Sequence, residues 1–273
     1  MIGATDSHTS FASAEEDNYL GKYGVATPGP ERWSKKFPPL TVPGVLEQFT
    51  EWQSSQSGLA GVWATENTRE AIWDALYRKE VYATTGPRIQ VRFFGGWSFT
   101  EDDVNRNDFV AAGYAGGVPM GGDLTSAPEG EKSPTFLVAA VKDQDGANLD
   151  RVQIVKGWLD SDGKLHEKVF DIVWSGDRKL QADGKLPALE NTVDLKTATY
   201  SNATGAAQLT SMWRDPDFDS SERAFYYVRV LEISTPRWTA FDEARFGIKM
   251  TPEVTRVLQE RAYTSPIWYS PDR

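Results

Sequence analysis

The sequence predicts an α+β protein with two unequal parts, in which residues 1–85 hold a helix and residues 86–273 hold antiparallel strands. Two observations support this prediction. Apolar residues follow a strong helical spacing over residues 68–79, whereas polar and apolar residues alternate repeatedly from residue 81 onwards. Turns containing Gly and Asp separate the alternating segments, as is typical of a β-sandwich. Because the pattern changes near residue 85, we place the domain boundary there.

The N-terminal part is predicted to contain a long irregular segment followed by helices. Residues 9–45 are rich in Ser, Gly and Pro and lack periodicity, so we expect a long loop. Apolar residues at spacings of three and four predict a short helix over residues 43–53. The clearest helix is expected over residues 68–79, with Asn67 or Thr65 as its N-terminal cap.

The second part is predicted to consist mainly of strands. Residues 101–131 and 175–222 are polar and are expected to form long loops. Thr251 followed by a proline predicts the start of a last helix over residues 252–262. The chain is expected to end in an extended edge segment over residues 263–271. The predicted strands are residues 81–84, 88–94, 136–141, 152–156, 169–174 and 224–233.

Composition excludes several kinds of protein. The chain has 273 residues with 40% hydrophobic and 25% charged content, which is ordinary for a soluble globular protein. A net charge of -10 and the lack of long Lys/Arg runs argue against nucleic acid as a partner. No apolar run is long enough to span a membrane, and the chain shows no signal peptide. The cellular compartment therefore stays undetermined, and the parent protein could be exported.

The residue types available for metal binding are few. The absence of cysteine excludes disulfides and thiolate zinc sites. The chain has two histidines, His8 and His166, so a metal centre built from this chain alone would consist almost entirely of carboxylates. The sequence Ile2-Gly-Ala-Thr-Asp-Ser-His-Thr-Ser10 contains the one Asp-x-His of the chain. In extended backbone Asp6 and His8 would share a face, as metal ligands or as an acid/base pair, although a turn or a cap is the structural alternative.

Three segments carry a resemblance to a known superfamily. Residues 3–8, Gly-Ala-Thr-Asp-Ser-His, resemble the last metal-binding motif of the PHP (polymerase and histidinol phosphatase) superfamily. Residues 61–89 and the sequence Glu-Arg-Ala-Tyr-Thr-Ser-Pro-Ile-Trp-Tyr-Ser-Pro at residues 260–271 are similar to a bacterial PHP-like family of unknown function. The resemblance implies that residues 1–85 are the C-terminal portion of a distorted β/α barrel and that residues 86–273 form a β-sandwich-like domain.

The resemblance also implies a metal site and a reaction. Asp6 and His8 would each bind a divalent metal, with zinc, manganese or iron as the usual ions of the superfamily. The other ligands of the superfamily precede this motif, so the chain resembles the C-terminal part of a longer hydrolase and alone lacks a complete site. A metal-activated water would attack a small phosphoester or related ester. The alternative is a non-catalytic β-sandwich module that binds a glycan or a protein partner.

Further candidate residues come from local sequence context. Arg69 stands at the start of a predicted helix, where the helix dipole disfavours a positive charge, so it is a candidate for binding an anionic substrate or for a structural ion pair. Thr85 and Arg88 flank a Gly-Pro corner that could present hydroxyl and amide groups to an anion, or form only a turn. Asp143 is expected in a strand turn, and His166 is expected to be solvated.

Overall fold

The computed structural model describes residues 1–4, 7–9, 13–36, 49–130 and 133–271. Two antiparallel sheets dominate the described residues, and the helices are short. The strands are β1 (Leu59–Val62), β2 (Val81–Thr84), β3 (Gln90–Gly96), β4 (Gly117–Pro119), β5 (Thr135–Val141), β6 (Leu149–Leu159), β7 (Leu165–Trp174), β8 (Gln208–Arg214), β9 (Arg223–Pro236), β10 (Val257–Thr264) and β11 (Ile267–Tyr269). The α-helices are α1 (Arg69–Tyr77), α2 (Glu101–Val104), α3 (Phe109–Gly116) and α4 (Trp238–Phe246), and 3-10 turns cover Glu16–Asn18, Gly24–Ala26, Arg32–Ser34 and Glu51–Gln53.

The larger sheet has seven strands in the order β1-β2-β10-β9-β6-β7, and β11 pairs with β9 as well. The smaller sheet has the order β4-β3-β5-β8. Each pair of neighbouring strands in the two sheets is antiparallel. The last long strand, β10, lies between β2 and β9, so strands from distant parts of the sequence pair in one sheet.

The two sheets share one apolar core. The rings of Phe136 on β5 and Tyr226 on β9 lie 4.6 Å apart between their centroids, which brings the sheets into direct contact. Apolar burial of this kind is the main force that holds facing sheets together. Core residues come from both sheets, among them Val91, Phe93, Phe136 and Val138 from the smaller sheet and Val152, Ile154, Tyr226, Val228 and Val230 from the larger one.

Several predicted elements are confirmed. The helix predicted over residues 68–79 is α1, although its cap is neither Asn67 nor Thr65: the Thr68 hydroxyl accepts a hydrogen bond from the Ala71 amide at 3.3 Å. The strand predicted over residues 81–84 is β2. The predicted strands 88–94, 136–141, 152–156, 169–174 and 224–233 correspond to β3, β5, β6, β7 and β9, and the final extended segment contains β11.

Other predictions are wrong. The helix expected over residues 252–262 is largely strand β10, because pairing with β2 and β9 in the middle of a sheet outweighs a local capping signal. The expected loop 101–131 contains α2, α3 and β4, and the expected loop 175–222 contains β8. Helix α4 was not predicted. The helix expected over residues 43–53 falls mostly on residues 37–48, which lie outside the described residues.

The fold class is confirmed as mixed α+β with mostly antiparallel sheets. The described residues form no closed barrel, so the barrel portion stays a prediction. The boundary between residues 1–85 and 86–273 also stays a prediction, and β2 and β10 from its two sides pair in one sheet. None of the helices in the described ranges has the length and apolar character to cross a membrane.

Candidate functional site: the Glu260 cleft

The segment before Asp6 is held against the edge of the larger sheet. The Gly58 amide donates a hydrogen bond to the Ala4 carbonyl oxygen at 3.2 Å. A Cβ on Gly3 would lie 2.4 Å from the Leu59 carbonyl oxygen, so this close approach requires glycine. The N-terminal ammonium contacts the Ser265 hydroxyl. The residues that lead into the Asp-x-His motif therefore have a defined place beside β1.

A cleft with a volume of about 620 Å³ opens at this place. It lies where the N-terminal segment, the end of β2 and the middle of β10 meet. We call it the Glu260 cleft, and its defining residues are Gly3, Ala4, Gln56, Thr85, Arg237 and Glu260. Its walls therefore bring together a backbone segment, hydroxyl and amide groups, the guanidinium groups of Arg237 and Arg261, and the carboxyl groups of Glu16 and Glu260.

Glu260 forms the polar centre of the cleft and is only 4% exposed. The Gln56 amide donates to Glu260 Oε1 at 3.0 Å, and the Thr85 hydroxyl donates to Oε2. The Arg261 amide in turn donates to Thr85 Oγ1 at 2.8 Å. Burial raises the pKa of Glu260, and the hydrogen bonds from Thr85 and Gln56 oppose this shift.

A strand irregularity lies beside Glu260. The register between β10 and β9 shifts between Gln259 and Arg261, with Glu260 at the shift. Such bulges redirect side chains and are common next to functional sites. The extra residue belongs to β9, because two steps along β10 match three along β9. Glu260 itself lies on the regular buried face of β10 that also carries Ala262 and Thr264.

Glu16 and Arg237 extend the cleft toward α4. Glu16 Oε2 accepts a hydrogen bond from the Trp238 amide at 2.5 Å. Burial, with the nearby charge of Glu260 second, raises the pKa of Glu16 to about 8, while the Trp238 amide and the Arg237 charge oppose the shift. Arg237 donates to the carbonyl oxygens of Trp52, at 2.5 Å, and Ser54. Because carbonyls carry no net charge, these bonds leave the positive charge of Arg237 to act on the cleft.

Of the predicted site residues in the described ranges, one lines the Glu260 cleft. Thr85 lies in the Glu260 cleft, and so does Ala4, two residues before Asp6. Asp6 itself lies outside the described residues. His8 is exposed, its amide donates to the Lys22 carbonyl oxygen at 2.8 Å, and its ring packs on Tyr23 with 4.7 Å between centroids.

Two predicted substrate-binding residues occupy other places. Arg69 is exposed at the start of α1, which connects Val62 to Val81 at the end of the β1–β2 pair opposite to Thr85. Arg88 is exposed, and its amide donates to Asp143 Oδ2 at 2.6 Å. The roles proposed for both side chains in substrate binding stay predictions.

Asp143 and His166 lie outside the residues that line the Glu260 cleft and have structural roles elsewhere. Asp143 organises the turn between β5 and β6, since Oδ1 accepts from the Asp145 amide at 3.1 Å, as expected for a strand turn. His166 is partly exposed: its ring stacks on Trp158 at 5.0 Å, and Nε2 lies 2.6 Å from Asp160 Oδ2.

The donor types of the Asp-x-His motif suit a divalent metal, but their number does not complete a site. A carboxylate and an imidazole bind zinc, manganese or iron, and such sites need at least three protein ligands. Within the described part of the chain, no three His, Cys, Asp or Glu side chains are grouped so as to hold a metal ion. We therefore derive no chemical step through a metal from this chain.

The sequence-based reasoning missed the buried carboxyl groups. Glu232 stands between Leu231 and Ile233 in a run of apolar strand residues, and its side chain is buried. Glu260 lies in a predicted helix that is a strand, so its inward direction was hidden. A glutamate inside an apolar strand pattern was the available signal, because an acidic group is rarely buried without a specific reason.

The fold and the cleft define a mixed α+β protein in which an N-terminal segment and a buried carboxyl group line one cavity at the edge of an antiparallel sheet. The chain belongs to a family described as a protein of unknown function (DUF3604), whose model matches residues 1–271. No curated protein and no solved structure matches the chain.

Proposed function

We propose that this chain is the C-terminal portion of a metal-dependent hydrolase, in which Asp6 and His8 supply two metal ligands and the Glu260 cleft receives a small phosphoester or related ester. One observation supports the proposal most directly: Ala4, which leads into the Asp-x-His motif, and Thr85, a predicted substrate-binding residue, line the same cleft. A bound divalent metal would supply an activated water. The remaining ligands would come from outside this chain.

The charge state of the cleft suits an anionic ester. Carboxylates would repel a phosphate group, but the pKa of Glu16, raised to about 8, favours its neutral form near neutral pH. Burial also raises the pKa of Glu260. Arg237 then adds a positive charge at the cleft wall. Thr85 would position Glu260 through its hydroxyl.

The finer domain assignment belongs to the same proposal. On the resemblance to the PHP superfamily, residues 1–85 are a remnant of a distorted β/α barrel, and residues 86–273 are an appended β-sandwich-like domain. The shared core between two facing sheets supports the sandwich-like description. The barrel description rests on the resemblance alone.

The proposal is tested by metal content and activity of the full-length protein. Asp6→Asn and His8→Gln are each expected to lower bound zinc, manganese or iron about 10-fold or more, because each removes a ligand. Hydrolysis of an aryl phosphate should fall by a similar or larger factor. His166→Gln is the matched control, since it changes the other histidine of the chain, and it should leave both quantities unchanged. Full metal content and activity in both motif variants would refute the proposal.

A second candidate function is glycan binding. A groove with a volume of about 630 Å³ is lined by aromatic rings, including Trp158, Phe225 and Trp268. Trp268 is 44% exposed, and aromatic faces of this kind stack on the apolar faces of sugars. Polar side chains at the groove, His166 and Arg223, could bind sugar hydroxyls. A full-length protein that holds no metal and hydrolyses no ester, but binds an oligosaccharide, would favour this second candidate.

A further inference from the structure

A second cavity lies beside the Glu260 cleft and is strongly acidic. It has a volume of about 220 Å³ and lies between residues 14–17, the turn after β5 and the end of β9. Seven of its lining residues are Asp or Glu, and none of the described lining residues is Lys or Arg. We call it the acidic pocket, and the residues used to define it are Glu16, Asp143, Tyr200, Glu232, Phe241 and Glu260.

Glu232 is the unusual group of this pocket. The residue is 1% exposed, and within the described ranges Glu232 Oε1 has no hydrogen-bond partner. An unsatisfied buried acceptor destabilises a fold, so native proteins rarely keep one without a functional reason. Glu232 lines the pocket, so a donor placed there would satisfy Oε1.

The nearby ammonium group of Lys142 forms its hydrogen bonds with the turn after β5. Lys142 Nζ donates to the carbonyl oxygens of Asp143, Gln144 and Gly146 at 2.9, 3.2 and 2.8 Å. Lys142 therefore holds the turn together rather than bonding to Glu232. The Asp143 carboxylate accepts the Asp145 and Arg88 amides, which fixes it at the pocket wall.

The charge and the placement of the lining side chains indicate which class of ligand the acidic pocket binds. An anion is disfavoured, because the lining carries seven acidic residues and none of its described residues is a Lys or Arg that would offset the charge of those that ionise. A divalent metal needs several oxygens converging at 2.0–2.6 Å, and the described residues contain no group of three carboxyl or imidazole side chains placed to hold one. An alkylammonium ion needs only acceptors spread around its N–H groups at hydrogen-bond distance. Phe241, Pro236 and Pro87 supply apolar wall for the alkyl part.

We propose that the acidic pocket binds a small primary alkylammonium ion, with Glu232 Oε1 as the central acceptor and Asp143 and Glu16 as flanking carboxyl groups. The proposal does not rest on the hydrolase function, because it uses neither Asp6 nor His8. It assigns to this face of the protein a class of ligand opposite in charge to the ester proposed for the cleft.

Binding of a cation should be coupled to release of protons. Burial, then the charges of Glu260 and Asp143, raises the pKa of Glu232 to about 9, against the opposing effects of Lys142 and the Ala147 amide. Glu16 has a pKa of about 8 for the reasons given above. Without a bound cation, the carboxyl groups of Glu232 and Glu16 therefore hold protons at neutral pH. An ammonium ion favours the ionised carboxylates, so its affinity should rise with pH up to about 9.

The test is isothermal titration of the full-length protein with n-propylammonium chloride. We expect millimolar or tighter binding, an enthalpy that differs between phosphate and Tris buffers because protons are released, and an affinity up to about 10-fold higher per pH unit below the pKa of Glu232. Glu232→Gln should weaken binding about 10-fold or more and reduce the proton release. Glu190→Gln, at an exposed site, is the matched control and should bind like the parent protein.

Several results would overturn the proposal. These are the absence of binding to the parent protein, unchanged binding to Glu232→Gln, and Glu232-dependent binding of Ca²⁺ that n-propylammonium does not displace. Thermal unfolding shows whether Glu232→Gln is folded. If it is not, Glu16→Gln replaces it, and unchanged amine affinity and proton release in that variant would equally contradict the proposal.

Discussion

At the scale of single residues, the informative groups are carboxyl groups inside the protein. Glu232 and Glu260 are 1% and 4% exposed, and burial raises the pKa of both. The sequence singled out Thr85, whose hydroxyl indeed belongs to the cleft, but its partner Glu260 could not be predicted because the two residues are 175 positions apart. Local patterns report neighbours along the chain, whereas burial of an acid depends on which distant strand lies beside it.

The raised pKa of Glu232 makes a prediction about stability and pH. Its pKa rises from 4.5 to about 9, so between these values the folded state binds more protons than the unfolded state. The free energy of unfolding should therefore fall as pH rises through this window, by at most about 1.4 kcal/mol per pH unit from this one group. Glu232→Gln removes the titration and should flatten the dependence. Urea unfolding at pH 5 and pH 8 measures it.

The exposed Glu190→Gln variant is again the control for that measurement and should keep the parental pH dependence. Equal slopes for the parent protein and Glu232→Gln would show that Glu232 is already ionised in the folded state. The same result would remove the expected proton release from the acidic pocket.

Among the helices and strands, the sequence predicts best those elements whose conformation depends on residues close together in the chain. Helix α1 was predicted because its apolar spacing and its capped start lie within one short stretch. Strand β10 was predicted as a helix because Thr251 and Pro252 resemble a helix start, whereas its conformation depends on β2 and β9. Helix α4 was missed although Gly247, with φ of 60°, caps its end in the left-handed region that favours glycine.

Helix α4 is tied to the N-terminal part by a buried ion pair. Arg32 Nε donates to Asp242 Oδ2 at 2.5 Å, and the two side chains are 3% and 1% exposed. Arg32 also donates to the Tyr19 carbonyl oxygen at 2.7 Å and packs over the ring of Trp238 at 4.4 Å. The pair therefore fixes the segment that carries Glu16 against the start of α4.

Removing one partner should be strongly destabilising. Asp242→Ala leaves the Arg32 guanidinium buried without its carboxylate, which is expected to lower the free energy of unfolding by about 3–5 kcal/mol. Asp217→Ala is the control, because its pair with Lys168 has side chains that are 45% and 50% exposed, and it should change stability by less than about 1 kcal/mol. Urea unfolding compares the two variants, and equal losses would contradict the structural role of the Arg32–Asp242 pair.

At the scale of the whole molecule, the pairing of β2 with β10 joins sequence that lies on both sides of residue 85. The sequence predicts the boundary because the pattern changes there from helical spacing to alternating strands, but a local pattern cannot show which strands pair across it. In the structure Ala262 on β10 lies opposite Thr84 on β2, and Tyr82 belongs to the same core cluster as Phe136 and Tyr226. The two predicted parts are therefore continuous in both hydrogen bonding and packing.

This continuity predicts a single cooperative unfolding transition. If residues 1–85 shared few contacts with the rest, calorimetry would resolve two transitions, whereas a shared sheet and core should give one. The calorimetric and van't Hoff enthalpies of unfolding should then agree for this chain. Ala262→Asp puts a charge into the shared core and should shift the whole transition to lower temperature without splitting it. A separate transition that this substitution leaves in place would instead support an independent N-terminal domain and the predicted boundary at residue 85.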